Sequence, residues 1–533
     1  KKLAQTVDEH CSDISLDAQQ AITVDFQLTL PLVDYTGYAV EVYLYNNDDE
    51  LLDYDMSAVD VSSDWSRFPR YGYITNIEER TQEESKEILD RLRKHHINGL
   101  FYYDIIDRHD KPLAGTRDNP AKEWKTLAYH NVSYDTLNTM IQIGHEYNIK
   151  SFVYNLIFGA YDNYEENGVK KEWGLFKDKL HNEQDAHDLS SLNWETKKLW
   201  IFNPANKNWQ DYYLDVHKDF LAVYDFDGIQ VDSLGHRGDL YDYDGNKVAL
   251  NETYSALLNR IRDELNTKVI FNPVSGYGLK QMLDEVDYDV AYMEVWPGEY
   301  KTYNSLKAAL DKIYRSTKGE RGSVLAAYMN YKKRQHQGGS FNTAGVNFTN
   351  AVIMASGGSH LELGDTGMLS SEYYPGNTLK IGEQLEKDLR NYYTFMVAYE
   401  NCLRGPGLEE VTTRTYLNDD LCSYDSELGR IWSFTKLNRQ EEIELVHLIN
   451  LKTANSVEWV DEMGTQKEPE VVSAAQVKHY VTLEPKAVYV ASPDYHEGVL
   501  EAVDFTAGSD EKGTYVTFQL PYLKYWTMVV IQK

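Results

Sequence analysis

The chain has 533 residues, and its 84 acidic residues against 53 lysines and arginines give a formal net charge of -31. This negative field repels nucleic acids and anionic membrane surfaces, so neither is expected as a partner. Hydrophobic residues make up 42% and charged residues 26% of the chain, which excludes general disorder, and the length allows about three domains.

The N-terminal stretch, residues 1–68, carries alternating apolar and polar runs. The clearest are residues 21–30 and 38–45, and clusters of Pro, Gly, Asn and Asp separate them. Alternation with a period of two is typical of half-buried strands. The pattern predicts a small β-sandwich-like domain of immunoglobulin type.

Residues 69–405 alternate short β-type runs with helical patterns, which indicates βα units around a parallel sheet. One predicted helix, residues 81–95, begins with a capping box in which Thr81 is followed by Glu84. Eight βα units predict an α/β fold with a catalytic (β/α)8 TIM barrel. The predicted strands are residues 71–75, 99–103, 150–156, 226–232, 269–273, 290–295, 324–331 and 360–364. The other predicted helices are residues 134–147, 209–223, 253–265, 305–316 and 382–400.

The helical period disappears after residue 405, and β-type runs return. They predict an antiparallel β-sandwich over residues 406–533, so the chain is expected to have three domains. The runs are residues 409–416, 430–436, 442–451, 477–483, 487–491 and 522–532.

Two carboxylates lie where a barrel carries its chemistry, at the C-terminal ends of strands. Asp232 ends the predicted fourth strand and Glu294 ends the sixth. Residues two strands apart can face each other across the barrel mouth and grip one glycosidic bond. A gap of about 5 Å between them would give a retaining hydrolase, and about 6.5 to 9.5 Å would give an inverting one. The pattern alone leaves that choice open, as it leaves open a purely structural role for either residue.

Several longer motifs resemble glycoside hydrolase family 66, which contains endo-dextranases and cycloisomaltooligosaccharide glucanotransferases. They cover the whole predicted barrel and fit the three-part layout. The motifs are FDGIQVD at 226–232, GHRG at 235–238, YDYDGN at 241–246 and MEVWP at 293–297, supported by residues 102–104, 108–109, 154–155, 203–204, 272–273, 357–364 and 372–375.

The resemblance implies that Asp232 is the nucleophile and Glu294 the general acid/base of a retaining hydrolase acting on α-1,6-glucan. Their environments are then expected to separate their pKa values, with Trp296 among the apolar neighbours that would raise the pKa of the acid. Further substrate contacts are implied at several strand-end positions, where internal hydrogen bonds are an equally good explanation. These positions are Tyr103, Asp104, His109, Asn155, Gln230, Trp296, His360 and Glu362.

The family contains two kinds of enzyme that share this chemistry but release different products. The cyclising transferases carry a carbohydrate-binding module between the seventh and eighth strands, whereas only about 30 residues separate Tyr331 from His360 here, too few for such a module. We therefore expect an endo-dextranase that releases isomaltooligosaccharides. A cyclising transferase and a non-catalytic dextran-binding receptor are the alternatives.

The remaining expectations concern partners and location. Dextran and isomaltooligosaccharides are the expected partners, with no cofactor and no metal. The chain is expected to be a monomer without a transmembrane segment. Three cysteines are too few for a disulfide framework, and the chain begins with Lys1, which is compatible with removal of a leader. Because dextran does not cross membranes freely, we expect an exported bacterial enzyme that is secreted, periplasmic or attached to the cell surface.

Overall fold

The computed structural model describes residues 1–336, 338–371 and 379–533 of a mixed α/β protein. The chain divides into two compact units. The larger unit contains residues 65–386 and 454–468, and the smaller unit contains residues 1–64, 387–453 and 469–533. The motif at 372–375 lies outside the described residues.

Parallel strands form the centre of the larger unit, and most of the strands predicted there are present. The strand predicted at residues 324–331 is too long, because it ends at Ala326 and a helix begins at Tyr331, and the strand predicted at residues 360–364 is divided into two short strands. The strands are β1 (Tyr71–Ile74), β2 (Gly99–Tyr102), β3 (Lys150–Leu156), β4 (Gly228–Asp232), β5 (Lys268–Asn272), β6 (Ala291–Glu294), β7 (Ser323–Ala326), β8 (Ser359–His360) and β9 (Leu363–Gly364). Strand β9 pairs in parallel with β1 through Gly364 and Tyr73. The strand order is β5-β4-β3-β2-β1-β9 in one sheet and β6-β7-β8 in another. Between β5 and β6 the backbone of Asp289 donates to the carbonyl of Val269 at 2.9 Å.

Helices connect these strands. The predicted capping box is confirmed, because the Thr81 side chain accepts from the Glu84 amide and the Glu84 side chain accepts from the Thr81 amide. Among the described residues, no helix is long and apolar enough to cross a membrane. The helices are α1 (Gln82–Lys94), α2 (Tyr134–Glu146), α3 (Lys207–Leu221), α4 (Tyr254–Leu265), α5 (Leu279–Glu285), α6 (Tyr303–Thr317), α7 (Tyr331–His336), α8 (Thr343–Ala355) and α9 (Glu383–Ala398), the last extending into the smaller unit.

One face of the parallel strands packs into a single aromatic-rich core. Because successive side chains of a strand point to opposite faces, alternate residues enter this core. Tyr71 and Tyr73 of β1 do so, and Phe152 and Tyr154 of β3 do the same. This face ends in polar side chains at the C-terminal ends of β4, β5 and β6, and that polar end carries the site described below.

The N-terminal segment contains one antiparallel hairpin, formed by Thr36–Tyr45 and Leu51–Val61, where the sequence predicted a sandwich-like domain. The strand predicted at residues 21–30 is wrong, because no strand includes these residues in the described structure. Their alternate apolar side chains are exposed, with Ile22 at 51% and Phe26 at 49%. Apolar and polar residues therefore alternate in this segment although the apolar side chains are not buried, as they would be in a half-buried strand.

Two antiparallel sheets make up the rest of the smaller unit and confirm most of the predicted β runs. One core receives side chains from both sheets, including Val446 and Leu448 from one and Val477 and Val516 from the other. The first sheet contains Leu408–Val411, Ile431–Asn438, Ile443–Asn450, Trp526–Gln532, Ala487–Ala491 and Glu501–Ala502. The second contains Asp420–Leu421, Thr415–Leu417, Val472–Tyr480, Gly513–Leu523 and Phe505–Asp510.

A buried polar pair lies between these two sheets. His479 Nε2 lies 2.9 Å from Glu444 Oε1, and both side chains are at most 1% exposed. Glu444 Oε2 also accepts from the amide and hydroxyl of Thr482 at 2.8 and 2.7 Å. The Glu444 carboxylate is therefore buried but fully hydrogen-bonded.

Replacing His479 by Ala is expected to lower the free energy of unfolding by about 3 to 5 kcal/mol, because it leaves a buried carboxylate without its partner. Lys478→Ala on the same strand is the matched control. Lys478 pairs with Asp510 at the protein surface, where water and salt screen the charges, so loss of this pair is expected to change the stability little. Urea denaturation of both variants measures the difference, and equal losses would contradict this account of the pair.

Candidate active site

Asp232 is the last residue of β4, and its carboxylate is buried, with 8% of the residue exposed. The Tyr154 hydroxyl donates to Oδ2 at 2.7 Å, and the Ser233 amide donates to Oδ1 at 2.7 Å. Burial raises the pKa of Asp232 to about 6, although hydrogen bonds from Tyr154, Ser233 and Asn272 act in the opposite direction. The carboxylate is therefore mainly ionised at neutral pH but close to its titration range.

Glu294 is the last residue of β6 and is also buried, at 7% exposure. Its Oε1 accepts a hydrogen bond of 2.5 Å from the indole Nε1 of Trp296. Trp296 in turn packs against Tyr328 and Tyr331, with ring centroids 5.7 Å away in both cases. The aromatic loop after β6 therefore holds the carboxylate in one orientation.

Asn272, at the end of β5, connects the two acids. Its Nδ2 lies 2.7 Å from Asp232 Oδ1 and 3.1 Å from Glu294 Oε2, while its Oδ1 accepts from the Glu294 amide at 3.0 Å. The accepted amide hydrogen bond fixes which end of the side chain faces the carboxylates. The two bridged oxygens are therefore separated by no more than the sum of the two hydrogen-bond lengths, about 5.8 Å.

A narrow pocket surrounds this pair. Of the residues that the sequence predicted, Tyr103, Gln230, Asp232 and Glu294 line it together. Gln230 lies two residues before Asp232 on the same face of β4 and accepts from the Tyr71 hydroxyl at 3.2 Å. The full lining is Phe101, Tyr103, Tyr154, Gln230, Asp232, Asn272, Tyr292, Glu294 and Tyr328.

Asp104 and His109 lie beside this pocket. Burial and the charge of Asp232 raise the pKa of Asp104 to about 7. Asp104 has a left-handed backbone with φ of 51°, a conformation that strains a non-glycine residue. His109 Nε2 lies 3.8 Å from Asp104 Oδ1, and burial lowers the pKa of His109 to about 4. Asp104 therefore forms a second acidic group near the nucleophile candidate.

Three predicted site residues are turned away from the pocket. Asn155 is fully buried and bridges His109 and His217, with its Oδ1 2.7 Å from His109 Nδ1 and its Nδ2 2.9 Å from His217 Nε2. His360 and Glu362 are also fully buried. Both contact Asn350 of α8, where His360 Nδ1 lies 2.7 Å from the amide oxygen and Glu362 Oε1 accepts at 3.0 Å.

Strand alternation explains this orientation. Tyr154 and Leu156 enter the aromatic core, so Asn155 between them faces the opposite side. Leu361 also enters the core, and its neighbours His360 and Glu362 therefore face the helix layer. A position at the end of a strand is thus insufficient to place a side chain in the site.

Tyr154→Phe is expected to move the acid limb of the pH profile upward. As the expected nucleophile, Asp232 has to be ionised, so kcat/KM is expected to fall as the pH decreases through its pKa. Loss of a hydrogen bond to the charged form removes about 1.5 kcal/mol or more of stabilisation and raises that pKa by about one unit. Initial rates between pH 4 and 8 measure the shift.

Tyr213→Phe is the matched control for this prediction. In the part of the chain that the structure describes, the buried Tyr213 hydroxyl has no hydrogen-bond partner. Its removal is expected to leave the acid limb in place. An unmoved limb in the Tyr154 variant would show that this hydrogen bond does not tune Asp232.

Sequence reasoning missed Asn272 and Tyr154 as site residues, although both lie in motifs that carried the resemblance. The parity of their strands could have indicated them. Tyr154 shares its face with Phe152, and Asn272 ends β5 between the strands that carry the two acids. Asn272 has the same strand parity as Ile270, which enters the aromatic core, so its side chain lies on the face that carries the acids.

Glycoside hydrolysis uses a pair of carboxyl groups on either side of the scissile bond, and Asp232 and Glu294 form such a pair at the C-terminal ends of parallel strands. The comparison with known families agrees with this class. The sequence model of glycosyl hydrolase family 66 matches residues 1–530, so the chain belongs to this family and is a glycoside hydrolase.

Relatives in this family carry two different names. A cycloisomaltooligosaccharide glucanotransferase from Niallia circulans is 27% identical over 672 aligned positions, which cover 100% of this chain and 68% of the relative. A dextranase from Streptococcus salivarius is 24% identical over 584 positions, covering 94% of this chain and 68% of that protein. The first of these relatives is thus a transferase by name, and the second is a hydrolase.

A solved structure is similar over most of the chain. The cycloisomaltooligosaccharide glucanotransferase from Paenibacillus sp., complexed with cycloisomaltoheptaose, superposes with a TM-score of 0.87 at 25% identity. The match covers 95% of this chain and 90% of that one. An α-amylase from Geobacillus thermoleovorans has a TM-score of 0.52 at 10% identity, which is a similarity of fold alone.

Proposed function

We propose that the chain is a retaining endo-dextranase that hydrolyses internal α-1,6 linkages of dextran. The observation that carries this proposal is the Asn272 bridge, which keeps the facing carboxylate oxygens of Asp232 and Glu294 within about 5.8 Å. Retaining enzymes have carboxyl groups about 5 to 5.5 Å apart, whereas inverting enzymes need about 6.5 Å or more to admit water between them. The substrate class is inferred from the two relatives, a cycloisomaltooligosaccharide glucanotransferase and a dextranase.

In this mechanism Asp232 attacks the anomeric carbon while Glu294 donates its proton to the leaving glycosidic oxygen. A glycosyl ester on Asp232 results, and the upstream fragment stays bound to it. Glu294, now a carboxylate, removes a proton from water, and the resulting attack breaks the ester. The Asn272 amide donates to both carboxylates and holds them at a fixed separation through the two steps.

The fold supports this proposal as a (β/α)8 barrel. The parallel order from β5 through β1 to β9, together with β6-β7-β8, fits a closed barrel with the acids at one mouth. We also propose that this barrel domain is bounded by residues 68 and 405. Tyr103, Asp104, Gln230 and Trp296 are the proposed sugar contacts. His109, Asn155, His360 and Glu362 support the strands that carry the site.

Hydrolysis is proposed over cyclisation because the module that the family resemblance implies for the transferases has no counterpart between β7 and β8. The alignment to the Niallia circulans transferase needs 672 positions for a chain of 533 residues, so that relative carries long segments that are missing here. The connection between β7 and β8 spans residues 327–358 and includes the helices α7 and α8, which leaves no room for an inserted module.

The transferase remains the second candidate, since the solved transferase superposes with a TM-score of 0.87. A non-catalytic dextran receptor is the third, and the presence of both acids argues against it. Because dextran is too large to cross membranes freely, we further propose that the enzyme acts outside the cytoplasm. We also propose that it is a monomer.

Incubation with dextran, and with starch and pullulan in parallel, tests the proposal. A rapid fall in viscosity on dextran alone, with linear isomaltooligosaccharides as products, is the expected result. Cyclic products would replace the proposal by the transferase. Binding of dextran without cleavage of any of the three glucans would favour the receptor.

A further inference from the structure

One segment of the larger unit is separated from the rest of that unit along the chain. This segment, residues 454–468, is called the strap here. The strands before and after it, Ile443–Asn450 and Val472–Tyr480, belong to the smaller unit. The strap packs on the loops that follow β6 and β7, and the proposed mechanism gives it no role.

The strap holds the loop that follows β6. Trp459 is 1% exposed, and its indole Nε1 donates to the Tyr300 carbonyl. The Tyr303 amide, at the start of α6, donates to the Val457 carbonyl at 3.0 Å. The loop between β6 and α6, which contains Trp296, is therefore fixed at the end where α6 begins.

Asn330 connects the strap to the loop that follows β7, and it is fully buried. Its backbone amide donates to the Val460 carbonyl at 3.0 Å, and its Nδ2 donates to the Asp461 carbonyl at 2.7 Å. Its Oδ1 accepts from the Asn342 amide at 2.7 Å, which fixes the orientation of the side-chain amide. The residue has a left-handed backbone with φ of 56°, a conformation that asparagine adopts more readily than most residues do. The strap therefore holds Asn330 through both its backbone and its side chain.

Asn342 joins the strap to the start of helix α8 as well. Its Oδ1 accepts from the Gly345 amide at 2.7 Å, which caps the first turn of the helix. Its Nδ2 donates to the carbonyls of Gly464 and Gln466 at 3.0 and 3.1 Å. A side chain on Gly345 would meet Asp461 Oδ2 at 2.6 Å. The strap and the start of α8 are therefore in direct contact, with no space between them for a side chain at this position.

The loop that carries Asn330 also carries the aromatic neighbours of Trp296. Tyr328 lies two residues before Asn330, and Tyr331 follows it directly. Both tyrosine rings pack against Trp296 with centroids 5.7 Å away. The Trp296 indole in turn donates to Glu294 Oε1 at 2.5 Å. A shift of the backbone at Asn330 would therefore move both rings, and with them the indole that orients the carboxyl group.

We propose that Asn330 and Trp459 are positioning residues for general acid catalysis. Through them, the strap holds the indole of Trp296 where it orients the carboxyl group of Glu294 toward the leaving oxygen. The assignment rests on the proposed retaining function, in which Glu294 is the acid. Neither positioning residue has to touch the substrate, because each acts through a loop that carries an aromatic neighbour of the acid. Loss of either contact is therefore expected to weaken proton donation more than attack by Asp232, which β4 carries.

Two substrates that differ only in their leaving group test this assignment. They are the para-nitrophenyl and para-methoxyphenyl α-glycosides of isomaltotriose, whose aromatic groups are similar in size. The nitrophenolate is a weak base that leaves with little help from an acid, whereas the methoxyphenolate needs a proton from Glu294. The measured quantity is the ratio of kcat/KM for release of the two phenols. Because both rates are proportional to the concentration of folded enzyme, this ratio does not depend on how much of a variant folds.

Asn330→Gly and Trp459→Phe are the variants that loosen the strap. Glycine adopts a φ of 56° freely, so the loop can keep its path while it loses the side-chain hydrogen bonds to the strap. Phenylalanine keeps an aromatic ring but cannot donate to the Tyr300 carbonyl. Asn450→Ala is the matched control, because Asn450 is a fully buried asparagine of the smaller unit that donates to the Glu470 carbonyl at 2.9 Å.

Both strap variants are expected to increase the preference for the nitrophenyl glycoside by about tenfold, a part of the 10² to 10⁴-fold that a general acid typically contributes. Glu294→Gln is expected to change the ratio in the same direction and by more, and Asn450→Ala is expected to leave it unchanged. An unchanged ratio in both strap variants of an enzyme that cleaves dextran would overturn the assignment alone, and so would an equal change in Asn450→Ala. A wild type that cleaves neither dextran nor the two glycosides would remove the proposed function together with it.

Discussion

Asp232→Asn is expected to lower kcat on dextran by about 10⁴-fold or more, equivalent to about 5.4 kcal/mol of lost transition-state stabilisation. The amide has the shape of the carboxylate but cannot form the glycosyl ester. The acid limb that ionisation of Asp232 gives the wild type is expected to be absent from the residual activity of the variant, because an amide does not ionise in the pH range of that limb. Steady-state rates on dextran measure it.

Folding of this variant provides the control. Burial raises the pKa of Asp232. Above that pKa, the buried and ionised carboxylate therefore lowers the stability of the folded state, and an uncharged amide at this position removes that destabilisation. We therefore expect an unfolding temperature at or above that of wild type. Azide added to the variant with α-isomaltotriosyl fluoride is expected to give the β-azide. An active Asp232→Asn enzyme would contradict the assignment of the nucleophile.

Glu294→Gln is expected to lower kcat/KM on dextran by about 10² to 10⁴-fold, the usual contribution of a general acid. The glutamine has the shape of the glutamate, and its one amide oxygen can keep one of the two hydrogen bonds that Glu294 accepts, from Trp296 or from Asn272. A fluoride leaving group needs no protonation, and the first step with α-isomaltotriosyl fluoride is expected to lose much less. Comparison of the two substrates measures the share of the loss that comes from acid catalysis.

The product with azide distinguishes this acid from the nucleophile. With Asp232 intact, azide attacks the glycosyl ester and the product is expected to be the α-azide, in contrast to the β-azide of the Asp232 variant. Equal losses on dextran and on the fluoride would show that Glu294 has another role.

The sequence indicated Asp232 and Glu294 as candidates because strand ends and carboxylates are both local signals. A β run that stops at Asp232 and another that stops at Glu294 are visible without any tertiary information. The bridge through Asn272 could not be predicted in the same way. It depends on the lateral order β4-β5 and on the placement of β6 beside them, which only the folded structure provides.

The predictions that differ from the structure also have specific structural causes. Asn155, His360 and Glu362 are polar residues near strand ends, but the parity of their strands turns them toward histidine and asparagine partners in the helix layer. Helix α8 was missed because it is buried on every side and has no amphipathic period. Alternation at residues 21–30 predicted a strand, and the exposed side chains there show that pattern without burial is insufficient.

The stereochemistry of the first product tests the central claim most directly. Proton NMR, recorded within the first minutes of dextran hydrolysis, shows whether the new reducing end is the α or the β anomer before mutarotation mixes them. Carboxylate oxygens held within about 5.8 Å of each other by Asn272 predict the α anomer first, because the configuration is retained through two inversions. A β anomer formed first would show inversion and would contradict the covalent mechanism on Asp232.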